Sequence, residues 1–121
     1  MTDMVNRPPH YADHYIHEVI VLTEKLGFDL GNCVKYLLRA PYKGREKEDM
    51  EKARWYLRRM VETMTAAQCE AQIVYRPDNF AELLTSYRCA LVTEIVLCCK
   101  RGDKYGLKEC FDRLTERIKS M

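Results

Sequence analysis

Lysines, arginines and aromatic residues recur at helical spacing in one short part of the chain, residues 31–59. This part contains nine Lys or Arg residues and four Asp or Glu residues, whereas the whole chain of 121 residues has a net charge of only +2. Ammonium and guanidinium groups both donate hydrogen bonds to phosphate oxygens. The local excess of positive charge therefore predicts a surface that binds an anion.

The second helical pattern, from about Leu30 to Ala40, has two different sides when it is drawn at about 100° per residue. One side is apolar, with Leu30, Val34, Leu37 and Leu38. The other side carries an amide, a phenol and two cations but no acid: Asn32, Lys35, Tyr36 and Arg39. A solvated helix face usually carries Glu beside Lys, so this mix favours phosphate binding over a solvated face, which is the alternative. Lys43 follows in the next turn.

The third helical pattern, from about Lys47 to Met64, contains the single tryptophan of the chain. Trp55 falls nearly opposite the apolar side, between Lys52 and Arg59. We interpret Trp55 and Arg59 as an interface between subunits, with base stacking by Trp55 as the alternative. Asp49 and Tyr56 lie at the border of the apolar side. There they could contact a ligand shared with the second helix, or they could form only local hydrogen bonds.

Two further candidates lie outside these helices. Glu94 falls in the most apolar helical pattern, so a buried carboxylate there would need a cation such as Lys35, Arg39 or Lys52. His10 and Tyr11 follow two prolines in the N-terminal arm, where a histidine could act as an acid, a base or a donor to phosphate. We therefore predict His10, Lys35 and Arg39 as catalytic candidates, with Glu94 as a ligand-side or purely structural group.

The fold predicted from these patterns is all-α: a compact bundle of about five helices in one domain, residues 1–121, with a polar N-terminal arm. The helices are predicted at about 13–26, 30–40, 47–64, 79–100 and 104–120, and the third could continue to Gln72. Gly27 is expected to end the first helix, Pro41 to stop the second, and Asp78 to cap the fourth. Gly102 and Asp103 are expected to separate the last two helices.

Several classes of protein do not fit the sequence. It has no phosphate-binding loop of the G-x-x-x-x-G-K-[ST] type. The acidic pair Glu48 and Glu51 lacks a matching second pair, so we predict no metal cage, although magnesium could accompany a nucleotide. The six cysteines lack zinc spacing and are expected to be reduced. The start of the chain has no signal-peptide pattern, and no apolar run could span a membrane. We therefore predict a cytoplasmic protein that binds neither membrane nor duplex nucleic acid.

Motifs in residues 5–62 resemble a small phage-encoded nucleotide kinase family that lacks a phosphate-binding loop, the SaV-like family. The motifs are N-x-P-x-H-Y, G-N-x-x-K-Y-x-x-R, K-G and E-D-x-x-K-A-x-W-Y-L. In this chain their polar and aromatic members are Asn6, His10, Tyr11, Asn32, Lys35, Tyr36, Arg39, Lys43, Glu48, Asp49, Lys52, Trp55 and Tyr56. Residues 63–121 form a helical half that resembles nothing familiar.

The resemblance implies phosphoryl transfer to a deoxynucleoside monophosphate of the dTMP or dGMP type, with a nucleoside triphosphate as donor. It further implies little demand for a metal, a homo-oligomer, and the cytoplasm of a phage-infected bacterium. In this interpretation the nucleotide is bound by Asn6, Tyr11, Asn32, Tyr36, Lys43, Asp49, Lys52 and Tyr56. Glu94 lies outside the resembling residues and is added to this set only from its place in the fourth helical pattern.

Two alternatives remain open. The chain could be a non-catalytic phage accessory or anti-defence protein that binds a host or defence protein or sequesters a nucleotide. It could also be a magnesium-dependent nucleotide pyrophosphohydrolase, which the missing second acidic pair disfavours.

Overall fold

Helices form the regular structure of the protein. The computed structural model describes Tyr15, residues 17–42 and residues 44–121. Within these residues the α-helices are α1 (Val19–Thr23), α2 (Phe28–Arg39), α3 (Glu46–Thr63), α4 (Ala66–Glu70), α5 (Phe80–Ser86), α6 (Ala90–Arg101) and α7 (Lys104–Lys119). A 3₁₀ turn, Ala40–Tyr42, follows α2. The predicted all-α class is confirmed.

The long helices pack as one bundle. Helix α2 lies along α3, α3 packs against α7, and α7 packs against α6. Their apolar sides meet in a single core cluster, to which α2 contributes Leu30, Val34, Leu37 and Leu38 as predicted. None of the helices in the described part of the chain has both the length and the apolar composition that crossing a membrane requires.

The first helix is shorter than predicted. Its predicted start, Asp13, lies outside the described residues, and the helix ends at Thr23 instead of Leu26. The backbone after the helix forms hydrogen bonds with a segment that is distant in the sequence. Gly27 N donates to Gln72 O at 2.7 Å, and Val74 N donates to Lys25 O at 2.9 Å. Gly27 is the N-cap of α2 rather than the end of α1. A Cβ at Gly27 would lie 2.6 Å from the end of the Gln72 side chain, so a larger residue would displace the Gln72 amide, whose oxygen accepts a hydrogen bond from Leu30 N at 3.1 Å.

The third helix does not continue to Gln72. It ends at Thr63, and Thr65 and Gln68 form a reciprocal capping box that starts α4. The end of α3 is held by Lys104, whose Nζ donates to Met60 O at 2.6 Å and to Val61 O at 2.7 Å. The same ammonium also donates to Met64 O.

The predicted fourth helix is in fact two helices. The chain leaves the helical path between Ser86 and Ala90, where Arg88 has a left-handed φ of 53°. Tyr87 is buried there and its hydroxyl donates to Glu18 O at 2.8 Å, so a tertiary contact fixes the break. The predicted N-cap is also wrong, because α5 is preceded by Asn79 rather than Asp78.

The last helix boundary matches the prediction. Gly102 ends α6 in the left-handed conformation, with a φ of 63°. Asp103 is the N-cap of α7, and its Oδ1 accepts a hydrogen bond from Gly106 N at 2.9 Å.

The six cysteines are unpaired, and all except Cys89 are buried in the core. Burial raises the pKa of the Cys110 thiol to about 12 and that of Cys33 still further. These thiols therefore act as small apolar side chains.

Candidate functional site

The predicted phosphate-binding side of α2 faces the neighbouring side of α3. Both helices turn their apolar residues to the core, with Leu30 and Val34 of α2 and Ala53 and Leu57 of α3 fully buried. The polar and aromatic residues of the two helices are thereby brought to a common border. Asn32, Lys35, Tyr36 and Arg39 are half-buried there rather than fully solvated.

Three cations surround the ring of Tyr36. The distance to its centroid is 4.6 Å from Lys35 Nζ, 5.4 Å from Lys52 Nζ and 6.0 Å from Arg39 Cζ. The face of a phenol ring carries partial negative charge, which lowers the cost of placing cations so close together. Glu48 also offsets some of this charge, since its carboxylate lies 3.3 Å from Lys52 Nζ. Lys35, Arg39 and Lys52 are therefore gathered at one ring, whereas Lys43, the fourth cation expected with them, lies outside the described residues.

An aromatic surface continues from this point. The rings of Tyr36 and Tyr56 stack with a centroid distance of 6.2 Å and an angle of 11°. Tyr56 contacts Phe28 and Trp55 edge to face, at 5.8 Å and 5.0 Å. Phe28 is 74% exposed and Trp55 is 55% exposed. We call the whole surface the aromatic–cation face; it comprises Phe28, Lys35, Tyr36, Arg39, Lys52, Trp55, Tyr56 and Arg59.

Two polar atoms beside this face are buried without a hydrogen-bond partner among the described residues. They are Arg39 Nε and Asp49 Oδ2. Asp49 is only 3% exposed, which confirms its predicted place at the border of the buried side. An unsatisfied buried polar atom is costly, so such atoms in a native structure call for an explanation. Both atoms have almost no accessible surface, so a ligand could reach either of them only if neighbouring side chains moved.

Arg59 is held on the far side of Trp55. Its Cζ lies 5.4 Å from the Trp55 ring centroid, and its Nε lies 3.6 Å from Asp29 Oδ1. The sequence correctly predicted Trp55 beside Arg59, whereas an interface role for either residue stays a prediction. Asp29 and Phe28 were not predicted. The sequence feature that could have indicated them is their position directly after Gly27, where α2 begins.

Asn32 lies one helical turn after Phe28 on α2, at the same end of the face as Phe28. Its side chain donates to Phe28 O at 2.8 Å. Together with Gly27, Phe28, Gly31 and Lys35 it lines a shallow groove of about 210 Å³. The groove is small for a whole nucleotide, but it lies directly beside the ammonium of Lys35.

The predicted partner of Glu94 was wrong. Glu94 Oε2 accepts from Arg113 Nη2 of α7 at 2.7 Å, and the Glu94 side chain is 44% exposed. The prediction assumed one unbroken helix over residues 79–100. The break at Arg88 changes which of the residues after it face the core. Val92, Ile95 and Val96 form the buried side of α6. At about 100° per residue Glu94 falls far from that side.

Four predicted site residues lie outside the described residues: Asn6, His10, Tyr11 and Lys43. Their predicted roles stay predictions. The part of the chain that is described contains no group of three or more His, Cys, Asp or Glu residues placed to hold a metal ion.

The arrangement can bind an anion attached to a flat ring. Cations gathered at Tyr36 can neutralise phosphate oxygens, and the adjoining aromatic rings offer faces and edges to a base. The acidic Asp49 can accept a hydrogen bond from a hydroxyl or an amino group of the same ligand. These capacities follow from residue types and distances and do not identify a reaction.

Comparison with known proteins gives one similarity. No curated protein and no solved structure matches the chain significantly. A family model described as a protein of unknown function (DUF3310) matches residues 5–58, the part that contains α1, α2 and most of α3. The chain is thus similar to this family over residues that include the whole aromatic–cation face except Arg59.

Proposed function

We propose that the aromatic–cation face binds a nucleotide, with its phosphates against Lys35, Arg39 and Lys52 and its base against the aromatic rings. The observation that carries this proposal is the gathering of three cations within 6.0 Å of the Tyr36 ring centroid. Concentrated positive charge beside stacked rings complements a phosphate chain joined to a base.

The reaction proposed for this site is phosphoryl transfer from a nucleoside triphosphate to a deoxynucleoside monophosphate of the dTMP or dGMP type. An oxygen of the monophosphate forms a bond to the γ-phosphorus. The bond from that phosphorus to the bridging oxygen breaks, and its electron pair leaves with the nucleoside diphosphate. Such transfer requires mainly positioning and charge neutralisation. Lys35 and Arg39 would supply the positive charge, and His10 would donate a hydrogen bond to a phosphate oxygen.

The setting proposed with this activity comes from the resemblance of the motifs in residues 5–62 to the phage-encoded kinases. The protein would act in the cytoplasm of a phage-infected bacterium. It would form a homo-oligomer whose subunit contact includes Trp55 and Arg59. No resident cofactor is proposed. Any magnesium would arrive with the donor nucleotide.

The test is to incubate the purified protein with each of the four deoxynucleoside monophosphates and ATP, with and without EDTA, and to separate the products by chromatography. The proposal expects a deoxynucleoside diphosphate and ADP in equal amounts, and their loss in Arg39→Ala. Arg58→Gln is the matched control, because Arg58 is an exposed arginine of α3 that pairs with Glu62. Nucleotide binding without any product would retain the site and reject the reaction. Release of pyrophosphate from a triphosphate would instead select a pyrophosphohydrolase.

A second candidate is a non-catalytic protein that binds a host or defence protein. The observation that favours it is the exposure of Phe28 and Trp55 on one surface, since large aromatic residues are common anchors of interfaces. Failure of the wild-type protein to bind any nucleotide, together with preserved folding, would favour this candidate.

A further inference from the structure

A second cavity shares no lining residue with the aromatic–cation face. Its volume is about 690 Å³, within the range of small-molecule sites. It lies where the end of α2, the 3₁₀ turn, the break between α5 and α6, and α7 come together. The lining residues that matter to its chemistry are Tyr15, Tyr42, Tyr87, Arg88, Cys89 and Arg117.

Tyrosine rings form one wall of the cavity. Tyr15 meets Tyr42 edge to face at 5.7 Å and Tyr87 at 5.4 Å. Two hydroxyls of this cluster are bound inside the fold, since Tyr15 donates to Leu38 O at 2.6 Å and Tyr87 donates to Glu18 O at 2.8 Å. The hydroxyls fix the rings in place, and the rings give the wall an apolar, flat character that suits a planar group.

The charge of the cavity is positive. Its charged lining residues in the described part of the chain are Arg88 and Arg117, with no acid among them. Arg117 Nη2 lies 4.0 Å from Glu46 Oε1, the outer limit of an ion pair, and both side chains are about half exposed. Such a pair is weak and leaves the guanidinium able to donate elsewhere. The cavity therefore combines apolar rings with two donors that prefer an anion.

The backbone at Arg88 gives a second reason to regard the cavity as a binding site. An arginine with a φ of 53° is in a conformation that costs a non-glycine residue energy. Strain of this kind is concentrated at functional sites.

We infer that this cavity binds a small organic anion that joins a phosphate group to a flat ring, a phosphomonoester of the aryl or nucleoside type. The phosphate lies between Arg88 and Arg117, and the ring lies against the tyrosines. This site is separate from the aromatic–cation face and does not depend on the proposed kinase reaction.

Cys89 provides a direct readout, because it lines the cavity and is the only one of the six thiols that is not buried. Alkylation of Cys89 by N-ethylmaleimide at about pH 8 is followed by intact-protein mass spectrometry. Phenyl phosphate is the probe, phenol the neutral comparison, and inorganic phosphate the comparison without a ring. We expect saturating phenyl phosphate to slow labelling by about fivefold or more, and each comparison compound to slow it less than about twofold.

The variant that tests the charge is Arg88→Gly, which removes the guanidinium and relaxes the strained φ, so the fold should persist. Phenyl phosphate should protect Cys89 less than about twofold in this variant, while Arg58→Gln and Arg39→Ala keep the full protection. Equal protection of Cys89 in wild type and Arg88→Gly would overturn the inference. So would the absence of protection in wild type. Retained protection in Arg39→Ala separates this cavity from the proposed nucleotide site.

Discussion

Replacing Lys104 by methionine should destabilise the protein strongly, because the Lys104 ammonium closes the C-terminal end of α3. It donates to the carbonyls of Met60, Val61 and Met64. These are among the last carbonyls of a helix, which have no partner within it and carry partial negative charge. Methionine preserves the apolar stem of the side chain and removes the three donors.

The size of the effect follows from these contacts. One hydrogen bond to a charged group is worth about 1.5–3 kcal/mol. The three bonds share one ammonium, and the freed carbonyls partly regain water, so their values do not add. We expect a loss of about 2–4 kcal/mol in the free energy of unfolding, which for a chain of this size lowers the Tm by roughly 10 °C.

The assay is urea denaturation followed by circular dichroism, with Lys108→Met as the matched control. Lys108 lies one helical turn further along α7, where it pairs with exposed Asp112 at 2.6 Å and lies 5.6 Å from the centroid of the Phe111 ring. An exposed pair of this kind is worth about 0.3–0.5 kcal/mol. Equal destabilisation by the two substitutions would refute the assigned role of Lys104.

Three further predictions follow. Trp55→Glu should lower the mass measured by light scattering and leave the helical circular dichroism intact, and a monomeric wild type would remove the proposed subunit contact. Glu94→Leu should change the free energy of unfolding by less than about 1 kcal/mol, because its pair with Arg113 is largely exposed; a larger loss in urea denaturation would contradict this assignment. Burial raises the pKa of Cys110 from 9.0 to about 12, so the native state holds a proton that the unfolded chain releases. Stability should therefore fall as the pH rises from 9 towards 12, and an unchanged urea midpoint between about pH 8 and pH 10 would contradict that sign.

The parts of the fold that the sequence predicted are those governed by local pattern. The apolar side of α2, the end of α6 at Gly102 and the cap at Asp103 follow from helical periodicity and from the conformational needs of single residues. The grouping of cations on α2 and α3 could be predicted for the same reason, since residues at helical spacing share a face. Their gathering around one ring required the packing of the two helices.

The parts that the sequence could not predict depend on contacts between distant residues. The break at Arg88 contains no glycine or proline, and the bond from Tyr87 to Glu18 joins residues far apart in the chain. The end of α1 likewise depends on hydrogen bonds to residues 72–75. The error at Glu94 followed from the first of these, because a helical phase cannot be carried across an unseen break.

The most direct test of the proposed site is the affinity of the protein for dTMP and dGMP, measured by isothermal titration calorimetry on wild type, Arg39→Ala and Arg58→Gln. We expect Arg39→Ala to weaken binding by about 1.5–3 kcal/mol, the value of a charge-assisted hydrogen bond, and Arg58→Gln to bind as wild type does. Circular dichroism should show the same helical content in all three proteins. Wild-type affinity in Arg39→Ala would contradict the account and place the nucleotide elsewhere.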